Sequence, residues 1–148
     1  MVRVNLKGEV VGINTAIASA SGHNEGIGFA IPINMAMFVA RQLIERGSVA
    51  RGRLGVNLDA QYGPDAARKM GIPRPVGARI SLVSPDSPAE LARIQIGDVI
   101  LEYDQVAIED DNHLVNVVSV TPVGKEVEVL VYRDGKSYKT RVKLSSRP

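Results

Sequence analysis

The chain has no cysteine, no tryptophan and only two phenylalanines among its 148 residues. Without cysteine it has no disulfides, no thiol nucleophile and no cysteine-ligated zinc. So few aromatic side chains mean that any core must be aliphatic, packed from Val, Ile, Leu and Ala. No run of about 18 apolar residues occurs, and no basic start followed by an apolar block opens the chain, so neither a membrane span nor a signal peptide is read within it. Neither sign of charge dominates: 18 Lys and Arg against 16 Asp and Glu leave +2. The basic residues are dispersed with few aromatics among them, which argues against a nucleic-acid-binding face. The length suits one ordinary domain, or a small domain with an appendage.

What is present is organised around Arg51-Gly52-Arg53-Leu54-Gly55-Val56-Asn57-Leu58-Asp59. Leu54, Val56 and Leu58 alternate with Asn57 and Asp59, the pattern of a half-buried strand with a bend at its start. Gly55 can take backbone angles that set neighbouring N–H groups side by side, a concavity suited to a carboxylate, and two arginines stand just upstream. The free edge of such a strand can accept an extended peptide. The plainer reading, that Leu-Gly-Val merely begins a strand, stands beside this one.

The residues before it divide into hairpin and helix. Lys7-Gly8-Glu9 reads as a turn tip, residues 10–17 as a β-branched strand, residues 19–26 as a Gly/Ser loop holding His23, and residues 27–31 as a second strand closed by Pro32. Asn34 is a candidate N-cap for a helix reaching Arg46, with Gly47 as its left-handed terminator. Met35, Phe38, Val39 and Leu43 share one face of that helix.

Beyond residue 59, Pro64 opens a short helix ended by Gly71, residues 72–77 are too proline-rich for regular structure, and residues 78–83 form a strand. Ser87-Pro88-Ala89-Glu90 is a capping box, with Ser87 and Glu90 expected to satisfy each other's N–H groups. A buried strand follows at 99–103. The acidic run Glu109-Asp110-Asp111 caps a helix over about 112–120, on which Leu114 and Val118 share a face flanked by Val115 and Val117. Beside His113 that run does not match a cation-binding loop, and no metal or cofactor is expected. Val127, Val129 and Val131 alternate, and Asp134-Gly135 is a hairpin turn leading into a closing strand at 138–144.

Two resemblances emerge from these residues. Asn5-Leu6-Lys7-Gly8-Glu9-Val10-Val11-Gly12-Ile13-Asn14-Thr15 and Gly26-Ile27-Gly28-Phe29-Ala30-Ile31-Pro32 resemble the end of the protease domain of the HtrA (DegP-like) serine proteases. Arg53-Leu54-Gly55-Val56, Ser87-Pro88-Ala89-Glu90, Gly97-Asp98-Val99-Ile100 and Pro122-Val123-Gly124 before an Asp-Gly hairpin resemble a PDZ domain of the HtrA type. The implied fold is mainly β with short helices (α+β), a partly open PDZ-type β-barrel preceded by the last strands and C-terminal helix of a trypsin-like barrel. The implied division is 1–47 as protease-domain fragment, 48–53 as linker and 54–148 as PDZ domain.

The resemblance further implies capture of C-terminal or extended peptides with hydrophobic ends. The Leu54-Gly55-Val56 amides would hold the carboxylate beside Arg53. Val56 and Leu58 would give ladder bonds on either side of Asn57, and Leu114 and Val118 would wall the pocket for the last side chain, plain core packing being the alternative for those two. Asn14, Thr15, Ala16, Gly28, Phe29 and Ala30 correspond to a protease substrate channel. The family sets its nucleophile in a Gly-Asn-Ser-Gly-Gly run ahead of a strand that begins here near Val4. No such run occurs in these residues, and neither His23 nor His113 is placed for a triad, so no catalysis by this chain is expected. The resemblance implies a periplasmic or other extracytoplasmic setting, and self-association, a family habit, would run through residues 1–47. A structural or oligomerisation adaptor that reads no peptide, and a part of an active protein-quality-control serine protease when the full-length chain is present, are the other open readings.

Overall fold

The computed structural model describes residues 2–18, 27–72 and 76–146. The loop with His23 and the stretch Pro73-Arg74-Pro75 lie outside the described residues. The chain divides into two compact units, Met1–Val49 and Ala50–Pro148.

In the first unit β1 (Val2–Val4), β2 (Val10–Ala18) and β3 (Ile27–Pro32) form an antiparallel sheet in that order, followed by α1 (Ile33–Arg46). The β1–β2 turn is organised by Asn5, whose side-chain oxygen accepts from the N–H groups of Lys7 and Glu9, with Gly8 at φ 78°. α1 starts two residues before the position an Asn34 cap would give. Pro32 precedes it with φ already near the helical value, and the Asn34 side chain accepts from Met35 N instead. Gly47, at φ 68°, closes the helix by donating to Leu43 O. Met35, Phe38 and Val39 are half-buried, but Leu43, expected on their face, is 48% exposed, and no described residue of α1 is buried. Val2, Val4, Phe29 and Ile44 are likewise exposed.

The second unit runs β4 (Gly52–Arg53), β5 (Val56–Leu58), α2 (Pro64–Lys69), β6 (Ala78–Val83), α3 (Pro88–Leu91), β7 (Val99–Tyr103), β8 (Val106–Ala107), α4 (Asp111–Ser119), β9 (Glu126–Arg133), β10 (Lys136–Lys143) and β11 (Ser145–Ser146). Its main sheet has the order β10-β9-β7-β6-β5, with β8 paired to β7, and β11 pairs separately with β4. The architecture is mostly β with few short helices, in open sheets and not a closed barrel. Residues 48–53, read as a linker, thus include a paired strand at Gly52–Arg53.

β7 lies between β6 and β9, and its Val99, Ile100 and Tyr103 are buried, as a mostly apolar strand in mid-sheet must be. Val127, Val129 and Val131 of β9 present alternate, fully buried side chains to the core that holds Ile100 and Tyr103, while Val99 packs on the other side with Ala67 and Ile72. Asp134-Gly135 has φ 49° and 80°, both left-handed, the requirement of a two-residue type I′ hairpin. The capping box is modified: Ser87 Oγ accepts from Glu90 N at 3.3 Å, but Glu90 Oε2 accepts from Asp86 N at 2.7 Å, not from Ser87 N. Asp86 sits at φ 53°, which brings its own N–H within reach of the Glu90 carboxylate.

A buried ionic knot ties the loop between α3 and β7 to the β9–β10 hairpin. Asp98, 1% exposed, accepts from Arg133 Nε at 2.6 Å and Nη2 at 2.7 Å, from Gln95 N at 2.8 Å and from the Tyr138 hydroxyl at 3.2 Å. The guanidinium lies 5.0 Å from the Tyr138 ring centroid. The Asp98 carboxylate holds the Arg133 pKa above its usual value, and burial pushes Tyr138 up to about 12. A buried carboxylate is tolerable only with this many donors.

Candidate functional site

The strand read around residue 55 breaks into β4 and β5 at Leu54-Gly55. Gly55 has φ 82°, and a Cβ built on it would lie 2.3 Å from Ser87 Cβ. Glycine is therefore required twice at this position, by its backbone angles and by the N-cap of α3 pressed against it. Gly52 is similarly confined, with Leu144 and the carbonyls of Thr121 and Val118 within 2.9 Å of where a Cβ would stand.

The carbonyls of the loop are both engaged by its own chain. Leu54 O accepts from Ala89 N at 2.9 Å and Gly55 O from Ser84 N at 2.8 Å. In a trans peptide the N–H points opposite to the C=O, and no peptide bond here is cis. The N–H of Gly55 therefore points away from α3 and the N–H of Val56 away from β6. The two successive amides are thus turned away from the segments that tie the carbonyls back.

Among the described residues β5 has a single neighbouring strand, β6, and no strand pairs with its other margin. Val56 pairs with Val83 and Asn57 with Leu82, flanked by the bonds Ser84 N to Gly55 O and Asp59 N to Arg79 O. By antiparallel alternation Asn57 turns its own N–H and C=O to β6, whereas Val56 and Leu58 turn theirs to the free margin. The opposite edge of the sheet is defended: β10 carries exposed Lys136, Lys139, Arg141 and Lys143, while β5 carries no charge. The Lys139 ammonium has its pKa held up by Glu128, 2.6 Å away on β9.

α4 begins at an Asp110 cap, whose side chain accepts from His113 N at 2.7 Å. It therefore starts one residue before the expected position, because the second acid of the run, not the third, takes the cap. His113 Nδ1 accepts from Glu109 N at 3.3 Å. Among the described residues no group of His, Asp and Glu is arranged to hold a metal ion. Leu114, 1% exposed, and Val118, 8% exposed, join Leu54 in one core cluster against which Val56, Leu58 and Val117 pack. In this state both helix residues serve the core. Arg53 is half-buried and donates to Ser84 Oγ at 3.3 Å, on the turn that holds the Gly55 carbonyl.

In the first unit Asn14 faces Ala30, and Ala16 faces Phe29, across the β2–β3 pair, with Thr15 at the bulge and its hydroxyl donating to Phe29 O at 3.4 Å. Gly28 pairs with Ile17. All six residues are exposed. What sequence reasoning missed was the support: Ser84, Ser87 and Ala89 hold the 54–55 loop from behind. The capping box was visible in the sequence, but nothing local says that it abuts residue 55.

Comparison with known proteins places these features. The PDZ domain family matches residues 52–144. A protein named "Probable periplasmic serine endoprotease DegP-like" from Marinomonas sp. is 44% identical over 97% of this chain and 30% of its own length. "Periplasmic serine endoprotease DegP" of Escherichia coli is 40% identical over 95% of this chain, again 30% of its own length. This chain thus spans about a third of the curated relatives it matches. Among solved structures, the HtrA-type protease AlgW with tripeptide superposes at a TM-score of 0.76 with 37% identity, over 98% of this chain and 48% of that one. A serine endoprotease from Yersinia pestis does so at 0.61 with 30% identity, over 98% and 46%.

Proposed function

This chain belongs to the PDZ domain family, and we propose that it captures peptides by their hydrophobic C-termini along the free margin of β5. The carrying observation is the orientation of the loop: both carbonyls at residues 54 and 55 are tied back, so the amides of Gly55 and Val56 face outward at the entrance to an unpaired edge. The terminal carboxylate binds those amides. The last residues lie antiparallel to Val56 and Leu58 as an added strand, and the final side chain packs on the α4 face bearing Leu114 and Val118. Burying one aliphatic side chain there contributes roughly 1.5–3 kcal/mol, partly offset by ordering a flexible peptide. The solved structure of the HtrA-type protease AlgW with tripeptide is in keeping with this reading.

The proposal extends to context. The relatives are named as serine endoproteases of the periplasm, so the module tethers chain ends for proteolysis there. The division into residues 1–47, 48–53 and 54–148 belongs to the same proposal, as does the role of residues 14–16 and 28–30 in a substrate channel. The exposed apolar surface of the first unit favours its burial against a protein partner or another copy. The test is fluorescence anisotropy with labelled peptides ending in valine, leucine or phenylalanine, each with a free and an amidated terminus. Free termini should bind at least about tenfold more tightly, since a charge-assisted hydrogen bond set is lost on amidation. Equal binding of the two forms would refute carboxylate capture.

A further inference from the structure

We propose that Thr140 of β10, at the end of α3 remote from the 54–55 loop, is a positioning residue for carboxylate capture, an inference that rests on the peptide-capture reading. The Gly55 N–H belongs to the same planar peptide unit as the Leu54 C=O, so whatever fixes that carbonyl fixes the direction of the amide. Ala89 N fixes it, donating at 2.9 Å. Ala89 is the second residue of α3, where a backbone N–H has no partner within its own helix, and it gives that unused donor to the loop. The aim of the Gly55 amide therefore depends on where α3 stands.

A four-residue helix, about 6 Å long, is too short to hold itself in place. Its far end is held by the β9–β10 hairpin. Strand alternation turns Tyr138, Thr140 and Val142 of β10 inward and leaves Lys139, Arg141 and Lys143 exposed. Thr140 Oγ1 donates at 3.0 Å to the carbonyl of Ala92, the α3 C-cap, and Arg133 Nη2 donates at 3.0 Å to Arg93 O in the turn that follows. The helix and its turn satisfy the earlier carbonyls themselves, Arg93 N bonding to Glu90 O and Ile94 N to Ala89 O. The hairpin thus supplies donors to the carbonyls at the helix end, and α3 is a strut with Leu54 at one end and Thr140 at the other. Arg133 also neutralises the buried Asp98, whereas Thr140 can lose its hydroxyl to valine with no change of shape.

The experiment uses the full chain and one labelled peptide ending in valine, with a free and with an amidated terminus. Wild type should favour the free form at least about tenfold. Thr140→Val should lower that ratio to about threefold or less, weakening the free form and leaving the amidated form's affinity unchanged, the effect of loosening one hydrogen bond. Thr140→Ser keeps the donor and should keep the ratio. Tyr132→Phe removes a different side-chain bond of the same hairpin, from Tyr132 Oη to Met70 O at 2.6 Å, on the α2 side. It should lower stability yet keep the full ratio, which separates positioning from a general loosening of the domain. A Thr140→Val ratio equal to that of wild type, a Thr140→Ser protein that behaves like Thr140→Val, or an equal fall in Tyr132→Phe overturns this inference alone. A wild type indifferent to amidation overturns the peptide-capture reading together with it.

Discussion

Substituting Gly55 by alanine tests how the loop is held. At φ 82° an alanine is strained by about 1–2 kcal/mol. Its Cβ would also stand 2.3 Å from Ser87 Cβ and 2.9 Å from Ser87 Oγ, which forces apart the loop and the α3 cap. Overpacking of this kind costs about 1–3 kcal/mol more, so Gly55→Ala should lose roughly 2–5 kcal/mol. Ser87→Gly removes both offending atoms and leaves only the Cα, 3.5 Å from that Cβ, in ordinary contact. Alone it should cost only a few tenths, about 0.5 kcal/mol, since glycine is a tolerable N-cap. In Gly55→Ala/Ser87→Gly the steric part disappears while the φ strain remains, so the double variant should be more stable than the sum of the singles by about 1–3 kcal/mol. Urea denaturation of the four proteins measures this coupling. Additive costs, or a Gly55→Ala protein as stable as wild type, would refute the claim that the α3 cap clamps the loop.

Other outcomes follow from the same contacts. Arg93 and Gln105 occupy left-handed conformations at φ 59° and 68°. Arg93→Gly and Gln105→Gly should each raise stability by about 0.5–1 kcal/mol, read as a higher denaturation midpoint. The Tyr103 hydroxyl is buried beside Thr121, whose own hydroxyl donates to Val117 O at 2.7 Å, and burial pushes the Tyr103 pKa up to about 12 from its ordinary value of 10.0. A pKa raised on folding adds stability that is intact below pH 10 and lost as pH climbs toward 12. Going from about pH 8 to about pH 11, wild type should therefore lose about 1.4 kcal/mol more than Tyr103→Phe does, measured by urea titration at each pH. Arg133→Ala, which strands the Asp98 carboxylate inside the domain, should cost about 3 kcal/mol by the same assay.

How much of this was legible beforehand depended on range. Signals confined to a few neighbours carried through: Gly47 ends α1, Ser87 and Pro88 start α3, Asp134-Gly135 turns β9 into β10, and the alternating valines of β9 fill the core. Contacts between distant segments were not legible. Nothing in the order of residues says that Ser87 abuts Gly55, that Arg133 closes on Asp98, or that Leu114 is wholly enclosed. Helix periodicity assigned Leu43 to the apolar face of α1, yet it stands exposed, because periodicity reports which face is apolar and not whether anything covers it.

Amide hydrogen exchange, resolved residue by residue with and without a peptide ending in valine, tests the central claim most directly. The amides of Val56 and Leu58 face the open margin and should exchange fast in the free protein and slow sharply with ligand, joined by Gly55. Asn57, already bonded to β6, should be protected in both states. Protection appearing instead along β10, or no change at Gly55, Val56 and Leu58 under saturating peptide, would contradict the account.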